Sequence, residues 1–566
     1  MDSRSLNNAW KGLLSLTFLL AVALPVLSQQ VEFQNSWGTF VAPVYNTSEK
    51  GAYAGAELFT GPNKFGSYFA GVIPNGRKST PAGTVAQIGM NPLGAVLTPD
   101  GKYLITSNDD EREDKFTSFQ STINLGGYTL SVVDTATLNV VSQINEVGKF
   151  FVGMQATGTG PYTVWVSGGA DQDVKLFTVT GGVISFTSHI VIPPVTSSTN
   201  GYVSNYVPDP YFNTVQGNGF KPPAPSGFNR TAGAQITFPA GSALSPDGKF
   251  LYVVCNGDNS VAVINAATQA VVQQVAVGYF PYAVSVSQDG STVLVSNWGV
   301  TEYKFKNPGY GNDGKLNKLD PIPNNQVDGF YVPVTNTTGS NPKTSSVSIL
   351  SAPGGDGSKL SLVGSVYQGH TLDALNVVGD THPSAMAIVR GGGKEYVYVT
   401  KSNSDAIAIM DTQGNQIATK NLPLLPSPNA GARTLHGTYP NAIVVSPDNT
   451  RAYVAEAGIG SVAVLDTTNP TAPVLIGRIP TNWYPTGVLL SADGNTLYVL
   501  NAKGIVEDIN PNTDPSKSPP PPPTGIVSTT IPVGTDSNYI FGSVQKIDLA
   551  SYKLDLTTVP ANTTPC

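Results

Sequence analysis

The side chains with chemical potential in this 566-residue sequence are mostly aromatic rings and amides that recur at the borders of strand-like runs. Tyr282, His382, Tyr439, Trp483 and Tyr484 stand just before such runs. Asn108, Asn256, Asn297, Trp298, Asn403, Asn501 and Lys503 stand just after them. Aromatic faces offer stacking, and amides offer paired donors and acceptors. Together they suit sugars, peptides or other small polar ligands, or a partner protein. The structural alternative for each is packing of the rings against neighbouring elements and use of the Asn side chains to tie turn backbones.

Other chemistries have thinner support. Asp109-Asp110-Glu111-Arg112-Glu113-Asp114 offers carboxylate oxygens that suit a divalent cation such as Ca²⁺, but lacks the EF-hand spacing and also fits a solvated acidic loop. His189, His370, His382 and His436 are far apart, with no His-x-x-x-His pair; His382 and His436 could both reach the loop-bearing face, where a shared metal is the minor alternative, and the residues name no metal. No Cys-x-x-Cys-His occurs, which excludes covalent c-type haem, and no Walker loop or Gly-x-Ser-x-Gly elbow occurs, which leaves no nucleotide or serine-hydrolase signature. Pro519 to Pro523 is a stiff polyproline run, either a spacer within a loop or a segment for an aromatic groove on a partner. Cys255 and Cys566 are too few for a disulfide framework; Cys255 falls mid-strand as a small apolar residue, and pairing between the two stays open.

These residues must be positioned by a repeat. Ser245-Pro246-Asp247-Gly248 followed by Leu251-Tyr252-Val253-Val254 reads as a tight turn opening a strand. The turn recurs at Asp100-Gly101, Asp289-Gly290, Asp448-Asn449 and Asp493-Gly494, with 42 residues from Asp247 to Asp289 and 45 from Asp448 to Asp493. A period of about 40–45 residues with several short strands each predicts a β-propeller. Seven repeats follow from Asn91, so the fold class is all-β, a seven-bladed propeller of four-stranded antiparallel blades alternating apolar and polar residues at period 2. Thr84-Val85-Ala86-Gln87-Ile88 is a lone outer strand, expected to close the ring by joining the last blade. Lys553-Leu554-Asp555-Leu556 is a further strand at the end of the seventh repeat.

Arg4 and Lys11 before the apolar run Leu13 to Leu24 predict a secretory signal over residues 1–28, with cleavage near Ser28. Residues 29–82 are an irregular lead-in, 83–558 the propeller and 559–566 a tail. The mature chain is expected to be secreted or periplasmic, with no other apolar segment long enough to span a membrane. Charged residues make up 12% with a net charge of -7, which argues against a nucleic-acid partner.

The pattern Ser-Pro-Asp-Gly-x-x-Leu-Tyr-Val, then Ser260-Val261-Ala262-Val263-Ile264, resembles the YVTN-type β-propeller repeats of secreted bacterial proteins. Asn265 departs from that repeat's Asp, which Asp411 and Asp466 keep. Ser296-Asn297-Trp298-Gly299 and Asn482-Trp483-Tyr484-Pro485-Thr486 resemble the propeller half of fusions that carry a phosphoesterase domain behind it. The sequence ends at Cys566, where that domain is expected to begin, so the resemblance implies the fold and not phosphatase activity. The long insertions (109–127, 300–344 and 504–541 inside blades; 195–233, 366–381 and 420–438 between blades) all fall on one face, where a binding surface is expected. The leading expectation is a secreted scaffold that binds through that face. The alternatives are a metal-dependent, lactonase-like hydrolase in the central channel, with Glu456 and Asp258 the nearest acids, and a self-assembling envelope or matrix protein.

Overall fold

A computed structural model describes residues 81–109, 128–144, 147–195, 237–299, 342–369, 380–423, 437–505 and 541–552, together with the short paired strands at 32–35 and 38–41, 71–72 and 78–79, and 302–306 and 330–334. The chain forms a seven-bladed β-propeller, each blade a four-stranded antiparallel sheet. Blades one to six span 92–144, 154–191, 239–276, 281–367, 383–421 and 440–480, each running from an inner strand outward. Blade seven is composite. Trp483–Leu490, Thr496–Ile505 and Phe541–Asp548 supply three strands, and Thr84–Met90, from before the first blade, pairs with the third. The lone early strand therefore closes the ring, as expected. Lys553 to Leu556 lie outside the described residues.

The Asp-Gly turns behave as the sequence predicts. In blade three the Ser245 hydroxyl donates to Asp247 at 2.7 Å, the Lys249 and Phe250 N–H groups are taken up by the two side chains, and Gly248 sits at φ +70°. A residue with a Cβ disfavours that backbone region, which is why Gly or Asn recurs there.

The period-2 alternation does not hold through the blades. In blade three the second strand Phe250–Cys255 and the third strand Ser260–Asn265 are buried almost throughout, on both faces. A blade is sandwiched between two others, so its middle strands have no solvent side. Alternation survives on outer strands such as Ala270–Ala276. The apolar core is accordingly divided into seven clusters, one for each junction between neighbouring blades; Tyr252, Val263, Val293 and Leu350 fill the one between blades three and four. Burying each such side chain contributes about 1.5–3 kcal/mol, and the ring distributes that gain around its circumference.

Inner strands touch neighbouring inner strands closely. A Cβ on Gly94 would lie 2.5 Å from the Val152 carbonyl oxygen, and one on Gly241 would lie 2.3 Å from that of Tyr282. Side chains then tie one blade to the next: Gln155 Nε2 donates to the Ser242 carbonyl, Asn256 Nδ2 to Pro281, Asn441 Nδ2 to Pro485, and Thr486 Oγ1 to Pro92. The centre is thus a rigid support for whatever stands at its rim.

Candidate functional site: an aromatic rim

Six of the seven inner strands are entered in the same way. Asn91, Phe238, Phe280, His382, Tyr439 and Tyr484 each precede a proline and each adopts a left-handed backbone, with φ between 47° and 62°. Bulky residues rarely tolerate that region. Here neighbouring backbone holds them. The N–H after the second strand donates to the carbonyl of the left-handed residue: Trp298 to Phe280, Ser402 to His382, Ala457 to Tyr439, Asn256 to Phe238 and Asp109 to Asn91. Side chains add to this. Asn259 Oδ1 accepts from the Phe280 N–H at 2.8 Å, and the Asp405 carboxylate accepts from Gly437, Thr438 and Tyr439. Glycines make room for two rings, since a Cβ on Gly299 would lie 2.6 Å from Phe280 and one on Gly458 would lie 2.5 Å from Tyr439. Backbone strain of this kind persists only where the surrounding structure over-determines it.

The rings so placed are open. Phe280 is 38% exposed, Trp298 42%, Tyr439 48% and Tyr484 40%. Trp298, just past the second strand of blade four, bridges two blades: its ring lies 5.6 Å from Tyr282 and 5.2 Å, edge-on, from His382. Burial pushes the Tyr282 phenol up to about 12, with a further contribution from Tyr484, three blades away across the mouth. Burial also lowers His382, against the opposing pull of Asp380, so the imidazole is neutral at pH 7. Exposed aromatics therefore run along an arc over blades four to seven. On the other side Phe151 and Phe238 pack against each other at 5.1 Å, and Asn91 donates its amide to the Asp109 carbonyl.

The predicted residues divide between rim and wall. Trp298 brings Tyr282 and His382 together, Tyr439 and Tyr484 stand exposed at the entries of blades six and seven, and the Trp483 backbone pairs with Lys503. The Lys503 side chain lies outside the described residues. Asn297 and Asn501 are fully buried inside their blades: Asn297 Nδ2 donates to Ser346 and Ser348, and Asn501 Nδ2 to Ser543. Asn108 is the equivalent peg in blade one, bonded to Thr129 and Ser131. These amides clamp second strand to third. Phe280 was not singled out from sequence, although Phe-Pro, His-Pro and Tyr-Pro dipeptides at blade entries carry the signal.

The acids named for a channel metal are engaged elsewhere. Glu456 is fully buried and takes a two-pronged bond from Arg478, at 2.7 and 2.9 Å. Asp258 is 8% exposed and accepts from Ser260 Oγ and the Val195 N–H. Among the described residues no three His, Cys, Asp or Glu side chains converge. His370, His436, Asp110 to Asp114, the polyproline run and Cys566 lie outside the described residues. Cys255 is a free, buried thiol, pushed up by burial.

Burial raises Asp258 from 3.8 to about 6. The folded chain therefore favours its protonated form. That contribution to stability is complete below about pH 4 and is lost as pH rises through about 6. Asp258→Asn, neutral throughout, is expected to gain on the parent between pH 4 and pH 8 by on the order of 2–3 kcal/mol. Urea unfolding at both pH values checks this; an equal difference at the two would show that the carboxyl titrates normally.

Antiparallel strand order puts the anchors of the segments 110–127, 300–341 and 506–540, and of 196–236, 370–379 and 424–436, at this same rim face. No family model and no curated protein matches the sequence. Solved structures are similar to it. Hydrazine synthase of Kuenenia stuttgartiensis is 15% identical, over 74% of this chain and 94% of that one, with a TM-score of 0.43. The periplasmic gluconolactonase PpgL of Pseudomonas aeruginosa is 13% identical, over 69% and 86%, with a TM-score of 0.43. A virginiamycin B lyase of Staphylococcus aureus is 12% identical, over 73% and 94%, with a TM-score of 0.37. At these identities and scores the chemistry of those proteins does not transfer.

Proposed function

We propose that this chain is a secreted, YVTN-type propeller that binds a ligand or partner at the aromatic rim of its insertion-bearing face. The single observation that supports it most is the set of open rings at the rim: Phe280, Tyr439 and Tyr484 on left-handed backbone, and Trp298 beside them. A fold built only for stability would bury such rings, because exposed aromatic surface forgoes stabilisation and invites association. Binding to a preformed surface loses less conformational freedom, so a rigid rim favours affinity.

The test is the variant Trp298→Ala, Tyr439→Ala, Tyr484→Ala. Exposed positions change stability little, within about 1 kcal/mol each, so its melting temperature is expected to stay within a few degrees of the parent. Its binding to an immobilised panel of oligosaccharides and peptides is expected to disappear. Retained binding would place the surface elsewhere; a collapsed melting temperature would make the rings part of the core.

A further inference from the structure

We infer that Lys401 is a reactive amine that captures small aldehydes as imines, at a second site beside the His382 entry of blade five. This site is independent of the aromatic rim and does not require the rim to bind anything.

A broken pattern points to it. In six blades one residue of the second strand pairs with the entry proline: Asn108, Cys255, Asn297, Lys401, Glu456 and Asn501. The other polar members are clamps. Asn108 donates to Thr129 and Ser131, Asn297 to Ser346 and Ser348, and Asn501 to Ser543, all on third strands. Glu456 accepts from Ser461 and Arg478. In blade five the positions that carry those third-strand hydroxyls are Ala406 and Ala408. Among the described residues nothing hydrogen-bonds or ion-pairs with the Lys401 Nζ. A buried polar group in that state is costly, and one that is kept calls for a role other than clamping.

The amine can also be reached. Lys401 is 7% exposed, whereas the other five are at most 1% exposed. Its nitrogen is not sealed from solvent as the Asn297 and Asn501 amide oxygens are. So narrow an opening admits only a small molecule. The surroundings are fixed: Asp380 and His382 adopt left-handed backbone, with φ 42° and 47°, on either side of the fully buried Thr381. Asp380 accepts from the Tyr367 hydroxyl at 2.8 Å. Burial lowers the Lys401 amine, and Asp380 opposes that effect. More of it is therefore free for attack at neutral pH than of an exposed lysine. Buried lysines of this kind form Schiff bases.

In the step itself the Nζ lone pair adds to the aldehyde carbon. The resulting carbinolamine loses its oxygen as water, which carries off both amine hydrogens, and a C=N bond remains. Protonation of the imine from solvent restores a cation near Asp380.

Reductive labelling of the full chain tests this, with acetaldehyde as the probe and cyanoborohydride as the hydride donor that reduces each imine to a stable secondary amine. Peptide mass mapping then reads the labelling rate of every lysine. At pH 7 Lys401 is expected to label about fivefold or more faster than the exposed Lys102 and Lys394. The excess is expected to shrink at pH 10 and to vanish in guanidinium. Ala406→Ser, which restores the hydroxyl found in other blades, is expected to slow Lys401 labelling several-fold at an unchanged melting temperature. Labelling of Lys401 no faster than that of the exposed lysines at pH 7 overturns the inference. So does an excess that survives unfolding, since it would belong to the local sequence and not to the folded site. Labelling unaltered by Ala406→Ser contradicts an amine left reactive by the missing hydroxyl.

Discussion

Arg478→Met is expected to destabilise the chain by about 3–5 kcal/mol, the usual result of stranding one partner of a buried ion pair. Glu456 has no exposed surface and lies at the end of the blade-six second strand. Its carboxylate is held by Arg478 Nε and a second guanidinium nitrogen, and by the Ser461 hydroxyl. Arg478 also donates to the Pro423 carbonyl, so the pair joins blade six to the end of blade five. The carboxylate keeps the guanidinium charged against the opposing effect of burial. Losing several kcal/mol is serious for a domain whose net stability is about 5–15 kcal/mol. The double variant Glu456→Gln, Arg478→Met removes both charges and is expected to recover most of the loss. Urea unfolding of the two variants measures this. A single variant within about 1 kcal/mol of the parent would mean that Glu456 is reached by solvent, and would reopen it as a candidate acid for chemistry.

A chain beginning at residue 91 is expected to lose at least about 5 kcal/mol and its single sharp unfolding transition. It lacks Thr84–Met90, the outer strand of blade seven, whose backbone pairs with Phe541–Asp548. Ile88, 2% exposed, fills the junction between blades seven and one with Leu104, Tyr498 and Val544. Gln545 Nε2 spans the Ala82 and Pro480 carbonyls, at 2.6 and 3.0 Å, and so fastens the closing strand to blade six as well. Without the strand an unpaired sheet edge is exposed and the ring is open. Thermal unfolding followed by circular dichroism reads the effect. Adding a peptide of residues 81–91 should restore part of the melting temperature by strand addition. A truncated chain that melts like the parent would show that closure does not depend on this strand.

The repeat and its closure were legible because the turn chemistry is local. Ser-Pro-Asp-Gly specifies its own hydrogen bonds within six residues, so its spacing reports the blade period directly. Middle strands misled, since a strand with neighbours on both faces is apolar throughout and loses the alternation that marks a half-buried one. The site was legible in part. His382, Tyr439 and Tyr484 announce themselves as aromatics at blade entries and Trp298 as one just past a second strand, but Asn297 and Asn501 sit at equally regular positions and turn inward to clamp the third strand. Side-chain direction at a strand end depends on the bulge that follows each entry proline, as between Pro281 and Ala283.

Hydroxyl-radical footprinting of the full chain by mass spectrometry tests the open aromatic rim most directly. The account predicts that Trp298, Tyr439 and Tyr484 oxidise several-fold faster than the buried Trp165, Tyr252 and Tyr398, which are 4%, 0% and 0% exposed. Rim residues that oxidise as slowly as Tyr252 and Tyr398 would contradict it, because the rings would then be covered by the chain itself and unavailable to any ligand.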